Sequence, residues 1–426
     1  MQTQAMRKKS RASSSMIQAS DRLSPAYIPE GQLLIWCART DLSIRIRHLV
    51  REAAGRPMDW QLVLSLAWYH SVGPLVYRTL STVCADLVPK ESLDMLRQRT
   101  QAGTLLNRAL AHELVQVCQA FKESGIPVIA FKGAPLAVMA YQDIILRDFD
   151  DLDLIVPQAR LADAQKVLWS QGFRPLSRSR DEFQTSHFDE PYHVFVKKNS
   201  PTPVDLQWVM AHEQFAFRLD RADIWDRCVP MSINGQLVNT LAPEELLIIL
   251  CVHGSKHAWE RLKWVVDVAE LLRSQQLNWQ RVFSTATKWK CRRMLLLGLA
   301  LASRLMEIPL PPDILNAISA DHDVPVLARC MPKSLLTHQH EGIDEHDGPA
   351  LYFSLKDSWW DRWRYGLVLI HHDHPILRRL PSWFRWQKEL TLLARMVQPL
   401  RAFVVLCLPL KSLRRAFVRL FLGPAH

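Results

Sequence analysis

Six consecutive residues, Asp151-Leu152-Asp153-Leu154-Ile155-Val156, constrain this chain more than any others. Acidic and apolar side chains alternate there before the run turns fully apolar, a period of two that suits a strand and not a helix. Residues two apart on a strand share a face, so Asp151 and Asp153 project together while Leu152 and Leu154 point the other way. Neighbouring carboxylates repel and are costly to desolvate unless a cation lies between them. The plain alternative is a solvated strand edge or an acidic turn, because Asp148 and Asp150 are close by. A site for a divalent cation is the simplest physical reason for the arrangement.

The flanking sequence supports that reading. Residues 126–131 form a short apolar run with β-branched members, which predicts a buried strand. Lys132-Gly133 breaks the run, and residues 134–141 have helix-forming composition. Gly133 before a helix would let backbone N–H groups approach a phosphate, with Lys132 or Arg147 adding positive charge. Farther on, residues 161–171 predict a helix stopped by Gly172, and residues 173–191 read as polar and irregular. Residues 192–198 and 203–209 predict two strands parted by Asn199-Ser200-Pro201. In the second, Val204-Asp205-Leu206 sets one acid among apolar neighbours, where an adjacent strand can present a third carboxylate to the pair.

This ordered set resembles the uncharacterised nucleotidyltransferases of the polymerase-β-like superfamily. The resemblance is carried by Phe131-Lys132-Gly133, by Arg147 ahead of the Asp151 alternation, by Val204-Asp205-Leu206, and by His253-Gly254-Ser255-Lys256-His257-Ala258-Trp259. Weaker similarity reaches Trp60, Ala67, His70 and Pro74. It implies an α+β fold, a small mixed β-sheet core with flanking helices and helical regions at either end. It also implies that Asp151 and Asp153 bind Mg²⁺ (or Mn²⁺), and that Asp205 ligates a metal and helps activate an acceptor hydroxyl. Lys132, Gly133, Arg147 and Lys256 are then the expected contacts to an NTP. The implied reaction moves a nucleoside monophosphate to a hydroxyl of a small molecule, sugar, protein or RNA end and releases pyrophosphate. Two departures stand out: Lys132-Gly133-Ala134 replaces the superfamily's usual Gly-Ser, and Gln207 stands where many relatives carry His.

Around this core the expected organisation is a basic tail (1–26), a helical lead-in (27–123), the catalytic domain (124–240) and a mainly helical C-terminal domain (241–426). The tail is Ser-rich, lacks the apolar core of a secretory signal, and reads as disordered. His253 and His257 lie one helical turn apart, with Trp264 and Asp267 continuing the same face; a polar packing seam is expected there, with Trp259 or Trp264 available for stacking. A net charge of +11 over 426 residues favours anionic partners without choosing among them. Eight scattered cysteines with no C-x-x-C pair predict buried thiols in a reducing cytoplasm.

No apolar run approaches the ~20 residues that a bilayer demands. The His-rich runs at 338–347 and 371–375 read as solvated connections. Near the C-terminus, Lys411, Arg414, Arg415 and Arg419 oppose Leu413, Phe417, Leu420 and Phe421 across a helix. Docking on the protein's own surface is expected there, with weak contact to an anionic membrane surface as the alternative. Two rival functions follow: a non-catalytic nucleotide-binding or scaffold protein that retains the fold, and a peripheral membrane protein working through that basic helix.

Overall fold

A computed structural model of the protein describes residues 27–176, 192–198, 202–208, 221–335, 348–363 and 365. The expected tail, both His-rich runs and the basic C-terminal helix lie outside the described residues. Five helices come first among the described residues: α1 (Pro29–Cys37), α2 (Ile44–Ala54), α3 (Trp60–Tyr69), α4 (Gly73–Val83) and the 34-residue α5 (Lys90–Glu123). Local chemistry sets their starts. Asp59 caps α3 by accepting from the Leu62 N–H at 3.0 Å, and Pro29 and Pro74 occupy first turns, where a missing N–H costs nothing.

The sheet-forming segment follows as β1 (Ile129–Ala130), α6 (Gly133–Leu136) continued by a π turn over Ala137–Tyr141, β2 (Leu152–Ile155), α7 (Leu161–Ser170), β3 (Phe173–Pro175), β4 (Tyr192–Lys197) and β5 (Val204–Gln207). These strands make one mixed sheet in the order β1-β2-β5-β4-β3, in which only β2 and β5 run parallel. After α8 (Arg221–Arg227), β6 (Val229–Ile233) and β7 (Gln236–Thr240) form a separate hairpin. Helices α9 (Pro243–Lys256), α10 (Leu262–Ser274), α11 (Trp279–Lys288), α12 (Arg292–Met306), α13 (Pro312–Ala320), α14 (Val324–Leu335) and α15 (Gly348–Ser354) complete the α+β fold. No helix among the described residues is long and apolar enough to cross a membrane.

Two elements differ from the sequence expectation. Strand β3 lies in a stretch that reads as irregular; it is a three-residue strand on the sheet's edge, the one place where Pro175 is tolerated. Strands β6 and β7 fall where no strand is expected above. Their turn is Asn234-Gly235, with φ of +50° and +78°, and Asn-Gly between alternating hydrophobics is the strongest short hairpin signal.

Alternation decides how the sheet is buried. Leu152, Leu154, Val204 and Leu206 join one hydrophobic cluster with Leu114 and Phe121 of α5 and Leu168 of α7. Ile155, one step out of phase, joins a second cluster that takes in the first four helices together with α9, α10 and α12. Each fully buried Leu or Val stabilises the fold by roughly 1.5–3 kcal/mol, and a one-residue slip would move four of them out of this cluster onto the acid face. The apolar face therefore locks the register, and the acids on the opposite face are brought together as a consequence.

The end of α9 is built on close approach. Trp259 is fully buried, and a Cβ at Gly254 would lie 2.6 Å from two of its ring atoms. The Trp259 N–H donates to the Gly254 carbonyl at 2.8 Å and the Ala258 N–H to the Ser255 carbonyl at 3.0 Å, which closes the helix in a Schellman turn. Ala258 and Trp259 take φ of +49° and +55°, left-handed positions that usually fall to glycine. Gly254→Ala is expected to cost about 1–3 kcal/mol through overpacking, seen as a lower melting temperature; an unchanged melting curve would contradict this packing.

Candidate active site

Parallel pairing of β2 with β5 sets Asp153 beside Asp205, and Leu152 and Leu154 beside Val204 and Leu206. Asp151 immediately precedes β2 on the acid face. Oxygens of Asp151, Asp153 and Asp205 all lie within 4.8 Å of one another. The three predicted acids thus meet at one point, two from one strand region and the third from its parallel neighbour.

Asp153 is the buried member, 4% exposed. Its Oδ1 accepts from Lys132 Nζ at 2.9 Å and from Gln207 Nε2 at 3.1 Å. Gln207 therefore holds a catalytic-face carboxylate by hydrogen bond, a contribution that its place two residues after Asp205 brings about. Gly133 has a φ of +52°, and a Cβ there would lie 3.3 Å from the Asp151 carbonyl oxygen, so glycine permits the bend against the acid-bearing segment.

The electrostatics show how much negative charge the site holds. Burial, then the charges of Asp153 and Asp151, push the Asp205 carboxyl up to about 7. Burial followed by Asp153 raises Asp151 to about 6. Burial works to lower the Lys132 pKa, but Asp153 and Asp151 outweigh it, and the ammonium is held above its usual value. An all-oxygen set of three mutually repelling carboxylates is the donor chemistry of a hard divalent cation such as Mg²⁺ or Mn²⁺, and such a cation would relieve the repulsion. On donor type and spacing, the residues present fit the metal.

One wall comes from α9 and α10. The His253 and His257 rings meet edge to face at 4.7 Å, and His257 stacks on Trp264 at 5.0 Å with 27° between planes. Burial first, then Lys256, brings His257 down to about 4. Burial, then Lys132, holds His253 well below its usual value. Both imidazoles are neutral at pH 7. Lys256 closes α9, and its charge acts on Asp205. Trp259, a stacking candidate by sequence, is instead the buried plug of the helix end, which leaves Trp264 as the ring on this wall.

Arg147 turns inward. Its Nε and Nη2 donate to Asp267 of α10 at 2.7 and 3.0 Å, and the Tyr141 hydroxyl donates to the same carboxylate at 2.6 Å. All three side chains are buried. This knot ties the end of the π turn and the segment leading to Asp151 onto α10. Asp267 was legible only as part of a helical face; nothing local pairs it with a residue 120 positions upstream.

The sequence profile described as uncharacterised nucleotidyltransferase matches residues 56–307, more than half of the chain. The chain belongs to this nucleotidyltransferase family. The matched span of this nucleotidyltransferase runs from just before α3 to the end of α12 and contains the whole acid site, the α9–α10 wall and the Arg147 knot. Among solved structures it is similar to ANT(2'')-Ia in complex with adenylyl-2''-tobramycin (14% identity, 43% of this chain and 97% of that one, TM-score 0.31). It is also similar to an antigenic nucleotidyltransferase-like protein from Paracoccidioides brasiliensis (17% identity, 49% of this chain and 96% of that one, TM-score 0.30). No curated protein matches it.

Proposed function

We propose that this nucleotidyltransferase moves a nucleoside monophosphate from an NTP to an acceptor hydroxyl in a reaction dependent on Mg²⁺ or Mn²⁺. The observation that carries the reading is the convergence of Asp151, Asp153 and Asp205 within 4.8 Å of one another. These three residues would hold the divalent metal, which when bound supplies charge neutralisation for the attacking and leaving oxygens. Asp205, half-buried beside the other two acids, would accept the proton from the acceptor hydroxyl. That oxygen then attacks the α-phosphorus, and pyrophosphate leaves.

Lys132 neutralises Asp153 in the metal-free protein. With the carboxylate shared by a cation, its ammonium is free to meet the triphosphate. Lys256, at the end of α9, adds a charge that acts on Asp205, and Trp264 with its stacked His257 offers a flat, uncharged surface for a base. Arg147, committed to Asp267, acts by holding the Asp151 segment. The free thiols of the seven described cysteines fit a cytoplasmic setting.

The deciding experiment supplies each α-labelled NTP with Mg²⁺ or Mn²⁺ and fractionated metabolites, RNA and protein. Label moves in the wild type and stays in the nucleotide in Asp151→Asn and Asp153→Asn. Lys132→Met is expected to weaken NTP binding roughly ten- to a hundredfold, measured by titration with Mg²⁺ present. Absence of both transfer and NTP binding in the wild type would overturn the assignment.

A further inference from the structure

A cleft of about 360 Å³ opens beside Asp151, between the α3–α4 turn, the middle of α5, residues 148–150 and the first turn of α10. It is the size of a small-molecule site. Three charged side chains line it without a hydrogen bond of their own among the described residues. Asp148, half-buried, feels Lys263 and Arg99 most strongly among the opposite charges, yet forms an ion pair with neither among the described residues. The Lys263 ammonium is half-buried and likewise unpaired; only its backbone N–H is used, toward the His70 carbonyl. Arg99 lies over the Trp68 ring at 4.7 Å and spends its guanidinium on that face alone. Asp148 and Lys263 are partly desolvated, whereas Arg99 is exposed at the rim; partly desolvated charges without hydrogen-bond partners are costly, and a ligand that supplies partners recovers that cost.

We propose that this cleft binds the acceptor, and that the acceptor is a neutral, polyhydroxylated small molecule of sugar or cyclitol type. The assignment rests on the nucleotidyltransferase reading of the neighbouring acids. A hydroxyl both donates and accepts, so one such molecule can donate to Asp148 while accepting from Lys263 and Arg99. An anion would meet Asp148 and Asp150, and a cation would meet Lys263 and Arg99; a neutral polyol meets no like charge. Trp68 gives its apolar ring positions an edge to rest on. Asp150 also lines the cleft and is the residue next to Asp151, which joins the cleft to the acid-bearing segment.

Binding and catalysis are tested separately. Saturation-transfer NMR on the full-length protein, with a panel of neutral monosaccharides and cyclitols, is expected to show binding. Ala102→Trp, an exposed α5 position that lines the cleft, is expected to abolish it by filling the space. Lys263→Met is expected to weaken it roughly ten- to a hundredfold. Neither change should alter NTP binding, measured with Mg²⁺ on the same samples. If no member of the panel binds, or if binding survives Ala102→Trp, the inference fails whatever the NTP titration shows. Binding of an oligoribonucleotide or a hydroxyl-bearing peptide with no binding of the free polyols would also overturn it. Loss of NTP binding with polyol binding intact would instead sink the nucleotidyltransferase reading and leave the cleft's ligand standing.

Discussion

At about pH 8, Asp205→Asn is expected to melt at a higher temperature than the wild-type protein when no divalent cation is present, and, assayed with Mg²⁺, to lose transfer at least ~10²–10³-fold. The two effects have one cause. Burial and the charges of Asp153 and Asp151 raise the Asp205 carboxyl to about 7 in the folded protein, against roughly 3.9 in an unfolded chain. A carboxylate whose folded value is raised stabilises the native state below the unfolded value, and that contribution disappears as pH climbs through about 7. Ionised Asp205 at pH 8 therefore costs about 2–4 kcal/mol, which the amide does not incur. The same sign predicts that the melting-temperature difference between variant and wild type shrinks toward pH 5. Mg²⁺ should stabilise the wild type more at pH 8 than at pH 5.5, since protons compete for the ligands. Asp153→Asn should behave in the opposite way on stability, because it removes the partner of Lys132 while also ending transfer. A destabilised Asp205→Asn at pH 8 would mean that the acids do not repel as their geometry dictates.

Asp267→Ala is expected to lower stability by about 3–5 kcal/mol, the usual cost of stranding a buried charge. The variant leaves the Arg147 guanidinium and the Tyr141 hydroxyl in the interior without the carboxylate that both address. Thermal denaturation reads the loss, and a melting temperature within a degree of the wild type would refute the account. The double variant Arg147→Met/Asp267→Leu removes both charges, and is expected to recover most of that stability. It also separates two roles for Arg147. If the residue only anchors the Asp151 segment, the double variant keeps NTP affinity; a direct phosphate contact would cost it roughly ten- to a hundredfold.

Much of the site could be read from local pattern. The alternation around Asp151 and Asp153 requires a strand, and Asp205 among apolar neighbours requires another. Two such strands with one apolar face each have little choice but to pair with that face inward, which is why the three acids meet. The Asn234-Gly235 hairpin carried an equally clear local signal. Trp259 did not: its aromatic character suits a stacking surface as well as a core, and only the glycine-lined space between α9 and α12 decides for the core.

The amino-acid order by itself determined the family, the acid-bearing strands and the face on which each acid lies, since strand periodicity and apolar burial act between near neighbours. Tertiary structure alone decided that Lys132 is held by Asp153, that Arg147 pairs with Asp267, and that Gln207 supports Asp153. It alone made the Asp148–Lys263 cleft. Each of these depends on charges from distant segments finding one another once water is excluded, and the energy of such a pairing is a property of the shared environment rather than of either residue's sequence neighbourhood.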